Sequence, residues 1–125
     1  MNENVDDVLN LAKELFELLT KAKMRMIGKW DRQVWADDWG NYNGETPAIK
    51  SVYILWNDKG NPYRPIYVGQ GLLSKRLNSH SLRKWSHNKI QFITHRDNPR
   101  LAEANIRKLL ERLAIIALNP EKNRG

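Results

Sequence analysis

The chain has no cysteine among its 125 residues. That excludes a disulfide framework and any thiolate metal site. Histidine is scarce, three in all, so a His-rich zinc site is not expected. Long apolar runs are missing. The longest, Leu113–Leu118, has six residues, against the roughly 20 that a spanning helix needs. The chain opens Met-Asn-Glu-Asn, without the basic stretch and apolar run of a secretory signal. The expectation is a soluble cytoplasmic or nucleoid-associated protein the size of one modest domain, with no membrane partner.

Carboxylates are also missing over a long interval. None occurs between Asp58 and Asp97, where eight Lys/Arg and all three histidines fall. The formal net charge is +7 and the pI about 9.8. Residues 1–50 carry a net −2 and residues 51–125 a net +9. So concentrated an excess attracts polyanions, because neutralising phosphates releases condensed counterions. Nucleic acid is the expected partner, and a generally basic surface is the plain alternative.

What is present divides the chain in two. Over residues 5–27, Val5, Val8, Leu9, Ala12, Leu15, Phe16, Leu19, Ala22 and Met26 recur at spacings of three and four. This is the period of an amphipathic helix. Such a helix covers one side of the core, or else makes a homodimer contact. Residues 28–50 are irregular, punctuated by Gly28, Gly40, Gly44 and Pro47 and studded with Trp30, Trp35, Trp39 and Tyr42. These aromatics suit packing against a domain; stacking on bases is the other use. A helical and Trp-rich N-terminal arm over 1–50 and a domain over 51–125 are thus expected.

From residue 51 the pattern changes. Ser51–Trp56 is β-branched and aromatic and reads as a strand. Asn57 to Pro62 is turn chemistry, and Pro65–Val68 is a second strand, ended by Gly69, Gln70 and Gly71. Leu72–Trp85 reads as a helix with Leu73 and Leu77 inward and Arg76 and His80 one turn apart on another face. Lys89–Thr94 is a third strand. Asn98-Pro99 opens a last helix, which Asn119-Pro120 ends near Leu118. The expected fold is α+β: a small three-stranded antiparallel sheet flanked by helices, with an N-terminal helical arm.

Six residues stand out in that frame: Tyr53, Tyr67, Arg76, His80, Glu111 and Asn123. Val-Tyr-Ile at 52–54 and Tyr-Val-Gly at 67–69 form a hairpin. Arg76 and His80 share the following helix. Glu111 lies on the last helix, and Asn123 follows it by twelve residues, beyond Pro120. In order and spacing, residues 50–125 resemble the GIY-YIG nuclease family, in particular the subset with Arg-x3-His found in some restriction and phage endonucleases. The chain departs from the pattern at Ser51, where the family has glycine, and at Val52 and Val68, where it has isoleucine. The stretch from Tyr67 to Arg76 is one residue shorter than in many members.

The resemblance implies a metal-dependent endonuclease acting on DNA with one Mg²⁺ or Mn²⁺ ion. It implies Glu111 as the metal ligand, Arg76 as the clamp on the scissile phosphate and Tyr53 in activation of the attacking water. His80 would assist that proton transfer, Tyr67 would orient water or phosphate, and Asn123 would fix the end of the last helix. The chemistry is coherent: a phosphodiester needs a cation against its developing charge, a positioned water and a cationic clamp. Lys75, Arg83, Lys84 and Lys89 are candidate contacts to the DNA backbone. His87 and His95 lie outside the motif and are expected on the surface or against phosphate. Glu103 is expected to pair with Arg107, one turn on. Each residue also has an ordinary use: strand aromatics for the tyrosines, a solvated helix face for Arg76 and His80, an intrahelical pair with Arg107 or Lys108 for Glu111. The competing functions are a non-catalytic nucleic-acid-binding module of the same fold, an RNA-directed nuclease, and a structural protein assembling through the N-terminal helix.

Overall fold

The computed structural model describes residues 4–26, 49–77 and 84–124. The Trp-rich stretch with Trp30, Trp35, Trp39 and Tyr42, and both His80 and Arg83, lie outside the described residues.

Helix α1, Val5–Lys21, starts where Asn4 accepts the backbone N–H of Asp6 on its side-chain oxygen at 2.9 Å. Asp6 and Asp7 in the first turn and Lys21 in the last suit the helix dipole. Its apolar stripe buries Ala12, Leu15 and Leu19, while Val5 and Leu9 at the N-terminal end remain exposed. Among the described residues four strands follow: β1 (Arg25–Met26), β2 (Lys50–Asn57), β3 (Arg64–Leu72) and β4 (Lys89–Thr94). Between β3 and β4 lies the short helix α2, Leu73–Leu77. Helix α3, Ala104–Leu118, closes the fold, preceded by a 3₁₀ turn at Pro99–Ala102 and followed by another at Glu121–Asn123. No helix among the described residues is long and apolar enough to cross a membrane.

The architecture is α+β with a three-stranded antiparallel sheet, β4-β2-β3, as expected. The two-residue β1 adds to the free edge of β4, pairing Arg25 with Ile90; so short a strand leaves no period to read. Strand β2 is central and buried on both faces. Val52 and Ile54 point with Val68 and Ile93 toward α1 and α3, meeting Leu15, Leu19, Ile106, Leu110 and Ala114. Burying each Leu or Ile contributes roughly 1.5–3 kcal/mol, so Leu15 and Leu19 fasten α1 to the sheet. Tyr53 and Leu55 point the other way, toward Ile90, Leu73 and Leu77.

The N-terminal helix, expected over 5–27, ends at Lys21, and Arg25–Met26 form β1 instead. Three further elements differ from the sequence reading. Strand β3 does not stop at Gly69: Gly69, Gln70, Gly71 and Leu72 all pair with β2. Ladder pairing on a central neighbour overrides the weak strand preference of glycine. The helix after β3 does not extend to Trp85; Lys84 and Trp85 form a turn. Third, residues 99–118 are not one helix. Asn98 caps a 3₁₀ turn with Pro99 at its start, and extended Glu103 separates it from α3. The buried guanidinium of Arg107 donates to the carbonyls of Leu101 and Ala102, each at 2.9 Å, satisfying the end of that turn.

Candidate active site

The hairpin sets the two tyrosines side by side. Tyr53 on β2 and Tyr67 on β3 share one face of the sheet, with ring centroids 6.2 Å apart. Tyr53 stands opposite Gly69 in the ladder, and its phenol lies across that glycine. A Cβ built on Gly69 would meet the Tyr53 Oη at 2.4 Å and the Tyr67 ring at 2.8 Å. Only a residue without a side chain leaves room there. Tyr53 has no exposed surface, and its hydroxyl finds no hydrogen-bond partner among the described residues. Tyr67 is partly exposed, with its outer side against Trp85 at 4.9 Å between centroids.

Two more elements bring charge to the pair. Arg76 on α2 is exposed, and its guanidinium folds back over Gly71, whose φ of +124° is open to glycine but strained for other residues. An open groove of about 470 Å³ lies beside it, lined by Gly71, Leu72, Lys75 and Arg76. Glu111 approaches from α3 around the edge of the sheet. Strand β3 is an edge strand, so the backbone groups of alternate residues point away from β2. At Val68 they meet Asn123: the N–H donates to Oδ1 at 2.8 Å, and Nδ2 donates to the carbonyl at 3.0 Å. Two residues on, the N–H of Gln70 donates to the Glu111 carboxylate. Asn123 and Glu111 thus occupy successive outward positions on β3, next to Tyr67.

The electrostatics follow from this crowding. Burial pushes the Tyr53 phenol well above the usual range, and Tyr67 and Glu111 push the same way, while Arg76 opposes them. Tyr67 is raised by burial and by Glu111, again against Arg76. Burial raises Glu111, and Arg76, Arg112, the Gln70 N–H and Lys108 draw it back down. The four side chains therefore sense one another's charge. They come from β2, β3, α2 and α3.

Comparison with protein-family models, curated proteins and solved structures finds no match. The geometry itself carries the functional argument.

The other candidate residues fall as follows. His80 and Arg83 lie outside the described residues. Lys75 and Lys84 are exposed, and Lys89 is partly buried with its ammonium 3.9 Å from the Asp58 carboxylate. His95 is exposed, as expected. His87 is not on the surface: it is 8% exposed, and burial drives its pKa down to about 4. Glu103 pairs with Arg100 at 2.6 Å rather than with Arg107. Arg107 is turned inward by the carbonyls it caps, so it is unavailable to Glu111 or Glu103 as a surface partner.

No three His, Cys, Asp or Glu side chains among the described residues cluster into a metal cage. The cluster offers one carboxylate, a hard oxygen donor that suits Mg²⁺ or Mn²⁺, and two phenols that burial keeps protonated and that serve as hydrogen-bonding groups. Glu111 keeps acceptor capacity beyond the single N–H of Gln70. The Tyr53 hydroxyl, without a hydrogen-bond partner among the described residues, is left to hydrogen-bond a ligand rather than to ligate. The donor set therefore fits a hard divalent ion that takes most of its shell from water and phosphate. Three contributors were not legible in the sequence. Gly69 reads there as the end of Tyr-Val-Gly and as a strand breaker, not as the space the Tyr53 phenol occupies. Gln70 acts through its backbone, which no residue type reveals. Trp85 reads as a helix end but packs on Tyr67.

Proposed function

We propose that this chain is a metal-dependent endonuclease of the GIY-YIG type that hydrolyses phosphodiester bonds in DNA. The observation that carries this reading is the convergence of Tyr53, Tyr67, Arg76 and Glu111 from four elements onto one strand edge, where Asn123 is bonded beside them. A core protein with no ligand gains nothing from a buried phenol lacking a partner among the described residues, or from a carboxylate with a raised pKa next to two phenols. Such costs concentrate where chemistry is done.

In this reading Glu111 holds the divalent ion, which would neutralise charge developing on the phosphoryl oxygens and make water more acidic. Exposed Arg76 presents a forked donor to the scissile phosphate in the groove beside Gly71. Tyr53, kept protonated at neutral pH by its burial, orients the attacking water by hydrogen bonding. Tyr67, the more exposed phenol, contacts water or phosphate from the open side. Asn123 is a positioning residue: it holds the chain after α3 to β3 and so fixes Glu111 against Gln70. The one site cuts one strand per visit, and both strands require two chains or two visits.

The test is cleavage of a labelled DNA duplex and a matched RNA duplex in Mg²⁺ or Mn²⁺. Wild type is expected to cut DNA. Arg76→Ala should lower kcat/KM by roughly 10²–10³-fold, the cost of removing one transition-state donor. Glu111→Gln should lose more than about 100-fold with DNA binding retained, because the cation's several kcal/mol are gone. Equal cutting by wild type and Glu111→Gln would sink the reading. Preference for the RNA duplex would reassign the substrate.

A further inference from the structure

We infer that Gln70 is a positioning residue for Glu111: its side chain is held by the buried Arg107 guanidinium, so that its backbone N–H stays aimed at the Glu111 carboxylate. The inference rests on the endonuclease reading above. It adds Gln70 and Arg107 to that reading, and neither is among the six residues singled out by their spacing.

The ladder places the side chain. Gln70 of β3 stands opposite Val52 of β2, and Val52 packs toward α1 and α3. Paired residues in a ladder share a face, so the Gln70 side chain lies on the side of the sheet away from Tyr53 and Tyr67. There it meets α3. Arg107 Nε donates to Gln70 Oε1 at 3.3 Å. The backbone N–H of the same glutamine donates to Glu111. Arg107 and Glu111 are four residues apart on α3, about 6 Å along the helix axis. One strand residue therefore grips two successive turns of the helix, one through its side chain and the next through its backbone.

The guanidinium is built in rather than solvated. Arg107 is 4% exposed. Its Nη1 donates to the carbonyls of Leu101 and Ala102, which fixes the guanidinium plane and leaves Nε for Gln70. A buried charge is costly unless its donors are satisfied, and these three acceptors are neutral oxygens. Capping the 3₁₀ turn uses Nη1 alone. The Nε bond is additional to the cap, and it ends on the residue that orients Glu111. Strand β3 is laddered on one side only, so no neighbouring strand holds the outward N–H of Gln70 in place. The site has a single carboxylate, and a misplacement of about 1 Å can cost on the order of 100-fold in rate.

The experiment compares wild type with Gln70→Met, which keeps the length of the side chain and removes the acceptor. Hydrogen exchange of single backbone amides, followed by NMR on the metal-free protein, reads the hold on residue 70 without any cutting. That amide should exchange about tenfold faster in Gln70→Met. The amide of Val68, held by Asn123 on the same edge, should not change. Cleavage of the labelled DNA duplex in Mg²⁺ reads the consequence: kcat should fall roughly 10–100-fold with KM for DNA unchanged, because the side chain lies away from the tyrosines. Equal acceleration at residues 68 and 70 is a loss of general stability and overturns the inference. An unchanged amide 70 overturns it too, as does an unchanged kcat beside a faster amide 70. With wild type cutting, each of these leaves the endonuclease reading standing. No cutting by wild type overturns that reading, and the positioning role with it.

Discussion

At the scale of single residues, space decides as much as charge. Gly69 is required because the Tyr53 phenol lies where a side chain would be. Gly69→Ala forces a buried ring to move, an overpacking cost of about 1–3 kcal/mol. Urea unfolding should show that loss, and cleavage should fall with it because both phenols shift. His87 illustrates the opposite case, a polar group buried for reasons outside the site. Its pKa is depressed to about 4 in the folded chain, against about 6.5 unfolded. Between those values the unfolded chain binds the extra proton, so stability is full above about pH 6.5 and declines as pH falls toward 4. The loss reaches at most about 3 kcal/mol. Unfolding curves from pH 7 to 4.5 should show the decline, and His87→Phe should flatten it. Neither residue's role is written in residue type. A glycine's partner lies across a strand, and a histidine looks the same in sequence whether buried or solvated.

At the scale of elements, the edge of β3 organises the site. Its outward backbone groups need partners, and the fold supplies Asn123 at Val68 and Glu111 at Gln70. Asn123→Ala removes two hydrogen bonds and should cost about 1–2 kcal/mol. The midpoint of thermal unfolding should drop, and kcat should drop further than stability explains, since Glu111 loses its fixed approach. An unchanged kcat in a folded Asn123→Ala protein would make that side chain purely structural. The strands β2 and β4, α1 and the end of α3 were legible because period, turn residues and caps agree. The continuation of β3 through Gly69–Leu72 was not, because the pairing of these residues with β2 is a tertiary fact. The break at Glu103 was hidden because Pro99 is as good an opening for an α-helix as for a 3₁₀ turn. It is the inward Arg107 that fixes the outcome.

At the scale of the molecule, one sheet has a packed cluster on each face. The face under α1 and α3 is apolar and holds the fold together. The opposite face packs Tyr53, Leu55 and Ile90 against Leu73 and Leu77, with Tyr67 and Phe92 partly exposed and Arg76 on one flank. The concentration of positive charge after residue 50 was visible in the sequence, and so was the ordered spacing of Tyr53, Tyr67, Arg76 and Glu111. Their meeting was not derivable from composition, because it depends on Glu111 reaching around an edge strand. The central claim is that this meeting is a catalytic site. Supercoiled plasmid incubated with the protein and Mg²⁺, beside Glu111→Gln and an EDTA control, tests it most directly. The account predicts nicked or linear plasmid from wild type alone. Intact plasmid with wild type, or cutting that survives both Glu111→Gln and EDTA, would contradict it.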